Sequence, residues 1–109
     1  MRALTGIQPS GIAHWGNLFG SMIPITKLCD EHPGSFFMIA DLHALTTMTD
    51  PKKLKKESFE LAVDLLALGI DPEKTIFFRQ SDVPQHAELA WILSTITPMG
   101  LMERAHSYK

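Results

Sequence analysis

The chain has 109 residues, of which 45% are hydrophobic and 20% charged, and its formal net charge is −2. This balance predicts one globular domain and excludes a disordered chain, a second domain of ordinary size and a global positive field for nucleic acid. A single cysteine excludes an internal disulfide, and the absence of a signal-peptide pattern or a membrane-length apolar run predicts a cytoplasmic protein with no membrane partner.

The first third of the chain predicts a strand, a tight loop and a helix. Residues 2–5 indicate the strand, and residues 6–11, with two glycines, a proline and a serine, indicate the loop. From Asn17 onward, apolar residues recur at three- to four-residue spacing on one helical face: Leu18, Met22, Ile25 and Leu28. Pro24 lies inside this helix and is expected to kink it.

The same strand–helix order is predicted twice more. Residues 36–40 (FFMIA) indicate a strand buried on both faces, and residues 75–78 (TIFF) indicate a third strand. Asp50 followed by proline begins an amphipathic helix that Gly69 ends, and residues 84–98 form the next helix. That helix presents an apolar stripe formed by Leu89, Ile92, Leu93 and Ile96, and a short helix is expected within residues 100–106. The order β-α-β-α-β-α predicts an α/β fold with a Rossmann-like parallel sheet.

In such a sheet, ligands bind beyond the carboxyl ends of the strands. The segments expected there are residues 6–17, 41–47 and 80–86, and all three are rich in polar side chains. The first, TGIQPSGIAHWGN, matches neither the dinucleotide fingerprint nor the phosphate-binding P-loop. It places His14, Gly16 and Asn17 at the start of a helix. Two interpretations are open here: donors to a nucleotide phosphate or ribose, or residues that cap the helix and lie in solvent.

The remaining polar and aromatic residues have competing interpretations. Asp41 and His43 follow the second strand and suit an acid–base or metal pair, or a turn cap and a backbone hydrogen bond. Two ligands without a third predict no protein-ligated metal. His86 is expected to be structural and Trp91 to pack. The lysines at positions 52, 53, 55 and 56 are expected to form a solvated helix face.

Several segments resemble one family in order and in spacing. HWGN (residues 14–17) resembles the HIGH signature of class I aminoacyl-tRNA synthetases, and the preceding GIQPSG is similar to the form found in the tryptophan branch of that family. MIADLHALT (residues 38–46), QSDVPQHAELAWIL (residues 80–93) and MGLMERAHSYK (residues 99–109) are similar to later segments of the same branch. The resemblance therefore covers essentially the whole chain and identifies residues 1–109 as part of a synthetase catalytic domain, its N-terminal half.

The resemblance implies an enzyme that activates L-tryptophan with ATP, releases pyrophosphate and transfers the aminoacyl group to tRNA(Trp). It further implies Mg²⁺ bound with the ATP and a homodimer of the intact enzyme. His14 and Asn17 are the implied catalytic residues. The implied ATP-binding residues are Gln8, Pro9, Ser10, Gly16 and Asn17, and the implied amino-acid-binding residues are Gly6, Ala40 and His43.

The sequence departs from the family pattern at three positions. His14 stands where tryptophan enzymes often have threonine, Asn17 replaces the last histidine of HIGH, and Leu4 stands where an aromatic residue is common. The lysine-rich KMSKS loop, the second signature of the class, has no counterpart in residues 1–109. We therefore expect this chain alone to be nearly inactive. Two alternatives are a small-molecule adenylyltransferase, which would carry a full HxGH loop, and a non-catalytic truncated paralogue that binds ATP, tryptophan or a partner subunit.

Overall fold

Three parallel strands form the only sheet found among the residues that the computed structural model describes, which are 1–11 and 13–104. The strands are β1 (Leu4–Ile7), β2 (Phe36–Ile39) and β3 (Ile76–Arg79), in the spatial order β1-β2-β3. Phe36 lies opposite Leu4 on one side and Ile76 on the other. The predicted α/β class and the parallel sheet are confirmed.

Helical segments connect the strands and follow the last one. The first connection contains α1 (Trp15–Asn17), a π-helix (Leu18–Met22) and α2 (Ile23–Glu31). The second contains α3 (Asp41–Ala44) and α4 (Pro51–Ala67). After β3 come a 3-10 turn (Gln80–Asp82), α5 (Gln85–Ile96) and α6 (Met99–Met102).

The core lies on one face of the sheet. Its buried cluster takes Met22 from the π-helix, Cys29 from α2, Phe37 from β2 and Leu65 from α4. Both connections, from β1 to β2 and from β2 to β3, move in the same direction across the sheet. Because such crossovers are right-handed, their helices pack on the same face. Burial raises the pKa of the Cys29 thiol, so this residue acts as a small packed side chain rather than a nucleophile.

The opposite face of the sheet carries no helix layer within the described part of the chain. Leu4 is 67% exposed there, and Phe36 and Met38 are only partly buried. The prediction that residues 36–40 are buried on both faces is therefore wrong for this chain. The reason is that helices cover only one face of the sheet, so no helix packs on the residues that alternate with Phe37, although the Arg2 guanidinium lies 5.6 Å from the centre of the Phe36 ring.

The strand boundaries differ from the predicted ones by one or two residues. β1 begins and ends two residues later than expected, because Gly6 pairs with Met38 instead of opening a loop. A Cβ atom at position 6 would lie 2.6 Å from Cγ of Met38, so glycine is the residue that permits this close strand contact. β3 likewise begins and ends one residue later than predicted.

Pro24 perturbs its helix through the turn before it. Proline has no N–H to donate, and the backbone immediately ahead of Pro24 adopts the wider π-helix. The Ser21 hydroxyl donates to the carbonyl of Asn17 at 2.8 Å and satisfies one carbonyl in this segment. The helical run thus continues from α1 to α2 instead of breaking.

The ends of α4 form as predicted. Asp50 caps the helix, because its Oδ1 accepts hydrogen bonds from the backbone N–H groups of Lys52 (2.9 Å) and Lys53 (3.4 Å). Gly69 ends it with a φ of +100°, a backbone conformation that favours glycine.

Helix α5 has its apolar side chains in solvent. The predicted stripe of Leu89, Ile92, Leu93 and Ile96 is exposed, and Trp91 is 73% exposed. The prediction that Trp91 packs is wrong within the described residues, since no other element covers this helix there. The final helix begins at Met99 and ends at Met102, while the part of the predicted helix around His106 lies outside the described residues.

Candidate functional site at the carboxyl edge of the sheet

The three segments predicted to carry the site meet at the same edge of the sheet. Because the strands are parallel, the chain leaves β1, β2 and β3 at their carboxyl ends side by side. The backbone N–H of Ala40 donates to the carbonyl of Ile7 at 2.8 Å and joins the first two segments. Side chains of the second and third segments are joined by hydrogen bonds described below.

The first segment turns sharply after β1. Pro9 is fully buried and packs the loop against the protein, whereas Gln8 is partly buried. Ser10 is exposed to solvent. Gly11 follows with a φ of +94°, which a residue with a side chain adopts only under strain. The predicted ATP-binding residues 8–10 therefore form a fixed loop at the carboxyl edge.

His14 is the N-cap of the helix that follows. Its Nδ1 accepts the backbone N–H groups of Gly16 (3.0 Å) and Asn17 (3.3 Å), and Oδ1 of Asn17 accepts the N–H of His14 (3.1 Å). The two side chains thus form a reciprocal capping box. These residues therefore cap the helix, as one of the two interpretations proposed. The N-cap residue is His14 rather than Gly16 or Asn17.

This cap leaves specific donors free for a ligand. Because Nδ1 of His14 accepts hydrogen bonds, the proton of the neutral ring lies on Nε2, and His14 is exposed. The amide nitrogen of Asn17 makes no hydrogen bond within the described chain. An imidazole N–H and an amide N–H₂ are suited to an anion such as a phosphate oxygen. Capping and ligand binding are therefore compatible roles of the same two residues.

Gly16 is exposed and lies beside the ring of His14, and its predicted role in ATP binding stays a prediction. A Cβ at Gly16 would lie 2.9 Å from Cε1 and 3.0 Å from Nδ1 of His14. Glycine at this position makes room for the histidine ring.

Asp41 and His43 do not pair with each other. Oδ1 of Asp41 accepts the N–H groups of Leu42 (3.0 Å) and Ser81 (2.9 Å), and Oδ2 accepts the Ser81 hydroxyl. Oε1 of Gln80 accepts the backbone N–H of His43 at 3.3 Å and lies 3.2 Å from its Nδ1. Of the two interpretations left open for these residues, the acid–base or metal pair is not formed, because each side chain is bound to the segment after β3. In residues 1–11 and 13–104, no three His, Cys, Asp or Glu side chains lie close enough to hold a metal ion.

The predicted amino-acid-binding residues lie on β1 and after β2. Gly6 is exposed on the uncovered face of the sheet, near its carboxyl end. Ala40 is buried directly after β2, and His43 is exposed in α3. The structure brings all three to the same end of the sheet.

The sequence interpretation missed the roles of Gln80 and Ser81. Both lie in the third polar segment, but no local pattern links them to residues some forty positions earlier. His86 has the expected structural role, with Nδ1 placed 3.4 Å from the Gln80 carbonyl. The signal that could have found Gln80 is its place immediately after a parallel strand.

One further ion pair stabilises this segment. The Arg79 guanidinium binds the Asp82 carboxylate at 2.6 Å and holds the pKa of Asp82 below its usual value. Both side chains are about half exposed, so the pair orders the 3-10 turn with a small contribution to stability.

Comparison with known proteins identifies the family of the chain. The family described as tRNA synthetases class I (W and Y) matches residues 1–109. The chain belongs to this family. Within the described residues, no helix is both long and apolar enough to cross a membrane.

Curated relatives of the chain are tryptophan–tRNA ligases. The one from Fusobacterium nucleatum is 53% identical over 108 residues, which are 99% of this chain and 33% of that protein. The one from Rhodopirellula baltica is 52% identical over 109 residues, which are 100% of this chain and 34% of that protein. The chain thus spans about a third of the length of the relatives that it matches.

Solved structures confirm the fold. Tryptophanyl-tRNA synthetase from Campylobacter jejuni, complexed with ADP and tryptophan, has a TM-score of 0.86 at 51% identity, covering 99% of this chain and 34% of its own. Tyrosyl-tRNA synthetase from Archaeoglobus fulgidus has a TM-score of 0.74 at 21% identity, covering 94% of this chain and 33% of its own, and supports the fold alone. The three strands and their helices match the corresponding part of a solved class I synthetase.

Proposed function

We propose that the chain is the N-terminal, nucleotide-binding part of a tryptophan–tRNA ligase. The enzyme activates L-tryptophan with ATP, forming tryptophanyl-adenylate and pyrophosphate, and then transfers the aminoacyl group to tRNA(Trp). The observation that carries this proposal is the His14–Asn17 capping box at the carboxyl edge of the sheet. The curated relatives of the chain are tryptophan–tRNA ligases.

ATP would bind along the first loop and the start of α1. Gln8 and Ser10, on either side of the buried Pro9, would contact the nucleotide, with Gly16 and Asn17 at the helix start. The tryptophan carboxylate attacks the α-phosphorus, the bond from that phosphorus to the pyrophosphate oxygen breaks, and negative charge grows on the phosphate oxygens. The Nε2–H of His14 and the amide of Asn17 would donate hydrogen bonds to this charge and lower the barrier.

Tryptophan would bind beside the nucleotide, against Gly6, Ala40 and His43. Gly6 lies on β1 directly before the ATP loop, so a substrate there has its carboxylate near the nucleotide. Ala40 offers a small apolar contact, and the His43 ring offers a hydrogen-bonding group. The amino acid and the nucleotide would then meet in the geometry that adenylation requires.

The intact enzyme would be a cytoplasmic homodimer that uses Mg²⁺. The cation would be held by the phosphate oxygens of ATP, since the described side chains offer no set of three ligands. Bound there, it would neutralise part of the phosphate charge. The exposed apolar residues of α5 are consistent with a surface covered in a larger assembly.

The test is tryptophan-dependent exchange of pyrophosphate into ATP, measured with the protein encoded by the complete reading frame that contains these residues. We expect exchange with tryptophan and a much weaker signal with tyrosine at the same concentration. Exchange that depends on tyrosine would assign the protein to the other branch of the family. A frame that stops at Lys109, together with no exchange, would instead favour the truncated, non-catalytic paralogue.

A further inference from the structure

His14 and His43 lie at the same edge of the sheet but hold their rings differently. Nδ1 of His14 accepts two backbone N–H groups, which places the ring proton on Nε2. Nδ1 of His43 lies 3.2 Å from Oε1 of Gln80. The same Oε1 accepts the backbone N–H of His43, which identifies this atom as the oxygen of the amide.

An oxygen acceptor beside Nδ1 fixes the ring proton of His43. Because Oε1 of Gln80 can only accept a hydrogen bond, the neutral ring must carry its proton on Nδ1 to make the contact. Nε2 of His43 is then an acceptor. The two histidines therefore offer opposite groups at this edge, a donor at His14 and an acceptor at His43.

Gln80 is held in place by a buried carboxylate. Strand pairing between β2 and β3 ends where Ile39 lies opposite Arg79. Beyond that point the Asp41 carboxylate, on a residue only 8% exposed, accepts both the N–H and the hydroxyl of Ser81. This joins the two chain segments beyond the strands and fixes the residue next to Gln80.

We propose that Asp41 and Gln80 are positioning residues that hold His43 as its Nδ1–H tautomer, so that Nε2 accepts a hydrogen bond from an N–H group of the amino-acid substrate. The proposal rests on the proposed function only in making that substrate an amino acid. An ammonium group or an indole N–H is the chemistry that an unprotonated ring nitrogen recognises. The donor at His14 faces phosphate, and the acceptor at His43 faces the amino acid.

The first experiment reads the tautomer directly. The protein of the complete reading frame is labelled with ¹⁵N-histidine, and long-range ¹H–¹⁵N spectra are recorded above pH 8, with His43 assigned through its substitution by glutamine. We expect the Nδ1–H pattern for His43 in the wild type and in Gln80→Glu, which keeps the acceptor oxygen. Gln80→Leu should shift His43 toward the Nε2–H form. An Nε2–H pattern in the wild type overturns the proposal.

The second experiment uses exchange kinetics. Gln80→Leu should raise KM for tryptophan about tenfold, the effect of losing roughly one hydrogen bond, and leave KM for ATP within about twofold. Asp41→Asn keeps an oxygen for the backbone donors and should change KM for tryptophan less than Asp41→Ala. Gln85→Leu is the matched control, since Gln85 is an exposed residue outside this network. It should have no effect.

The two arms separate the failure of this inference from the failure of the proposed function. Equal increases of both KM values in Gln80→Leu would indicate general damage to the edge and would overturn the positioning role. If the wild type shows no tryptophan-dependent exchange, the proposed function fails, and the histidine spectra alone decide whether Gln80 sets the tautomer of His43.

Discussion

The substitution Gly16→Ala should lower the activity of this protein while leaving its stability almost unchanged. The Cβ of Gly16→Ala would lie 2.9 Å from Cε1 of His14, closer than an ordinary contact, so the imidazole must move. The displaced ring would lose its two backbone hydrogen bonds, and loss of an N-cap costs about 1 kcal/mol. Alanine is better than glycine in a helix by about 0.5–1 kcal/mol. The two effects nearly cancel, so the stability should barely change.

The activity should fall, because the ring no longer presents Nε2–H at the edge. A hydrogen bond to a charged group contributes about 1.5–3 kcal/mol, which corresponds to a decrease in kcat/KM of roughly ten- to a hundredfold. The measurement is tryptophan-dependent ATP–pyrophosphate exchange, with urea unfolding of each variant beside it. Gly20→Ala is the control, since a Cβ at that position meets no atom within 4 Å. It should leave the exchange rate unchanged.

A double-mutant cycle tests the cause. When His14→Ala is already present, Gly16→Ala has no ring to displace and should raise stability by about 0.5–1 kcal/mol. It should then cause no further loss of exchange activity. Additive effects of the two substitutions, in stability or in activity, would refute the conclusion that Gly16 acts through the His14 ring.

Three further outcomes follow from the structure. Phe37→Ala should lower the free energy of unfolding by about 3–5 kcal/mol in urea, because the ring is fully buried, whereas Phe59→Ala, at a residue 71% exposed, should cost far less; equal losses would contradict the placement of the core. Arg79→Met should raise the pKa of Asp82 toward 3.8, followed by carboxyl ¹³C NMR. Because that pKa is depressed in the folded chain, the pair stabilises the fold above pH 3.8, and its contribution is lost as pH falls through the lowered pKa; an unchanged titration would show that the pair does not form. Residues 1–109 alone should show no tryptophan-dependent exchange above a blank, and robust exchange would show that the lysine-rich loop is dispensable.

Local sequence patterns predicted most of the fold. The helix cap at Asp50 and the helix end at Gly69 follow from backbone rules that act over a few residues, and both form as expected. The boundaries of β1 were wrong because Gly6 has a glycine's preference for turns, while pairing with Met38 decided its conformation. A contact with another strand has no signal within four residues of sequence.

The position of the candidate site was predictable, but its contacts were not. That the three polar segments meet at the carboxyl edge follows from the order of strands and helices, and the binding role of His14 stays a prediction. The contacts of Asp41 with Ser81, and of His43 with Gln80, join residues about forty positions apart and exist only after the strands pair. The apolar stripe of α5 was correctly recognised, but periodicity does not tell which surface covers a stripe.

The π-helix between residues 18 and 22 determines how far α1 is rotated about the helix axis relative to α2. A π turn takes up about one residue more than an α turn, and one residue corresponds to a rotation of about 100° around the helix axis. Packing of Cys29 in the core therefore fixes the rotation of α2 about its axis. The π-helix lets the capping box of His14 and Asn17 point in a different direction, toward the carboxyl edge of the sheet. Deleting one residue in this turn would convert it to α-helix and rotate His14 by roughly a quarter of a turn or more, with the hydrophobic packing of α2 left intact. The additional residue of the π-helix thus sets the direction of the end capped by His14, while Cys29 keeps its place in the core.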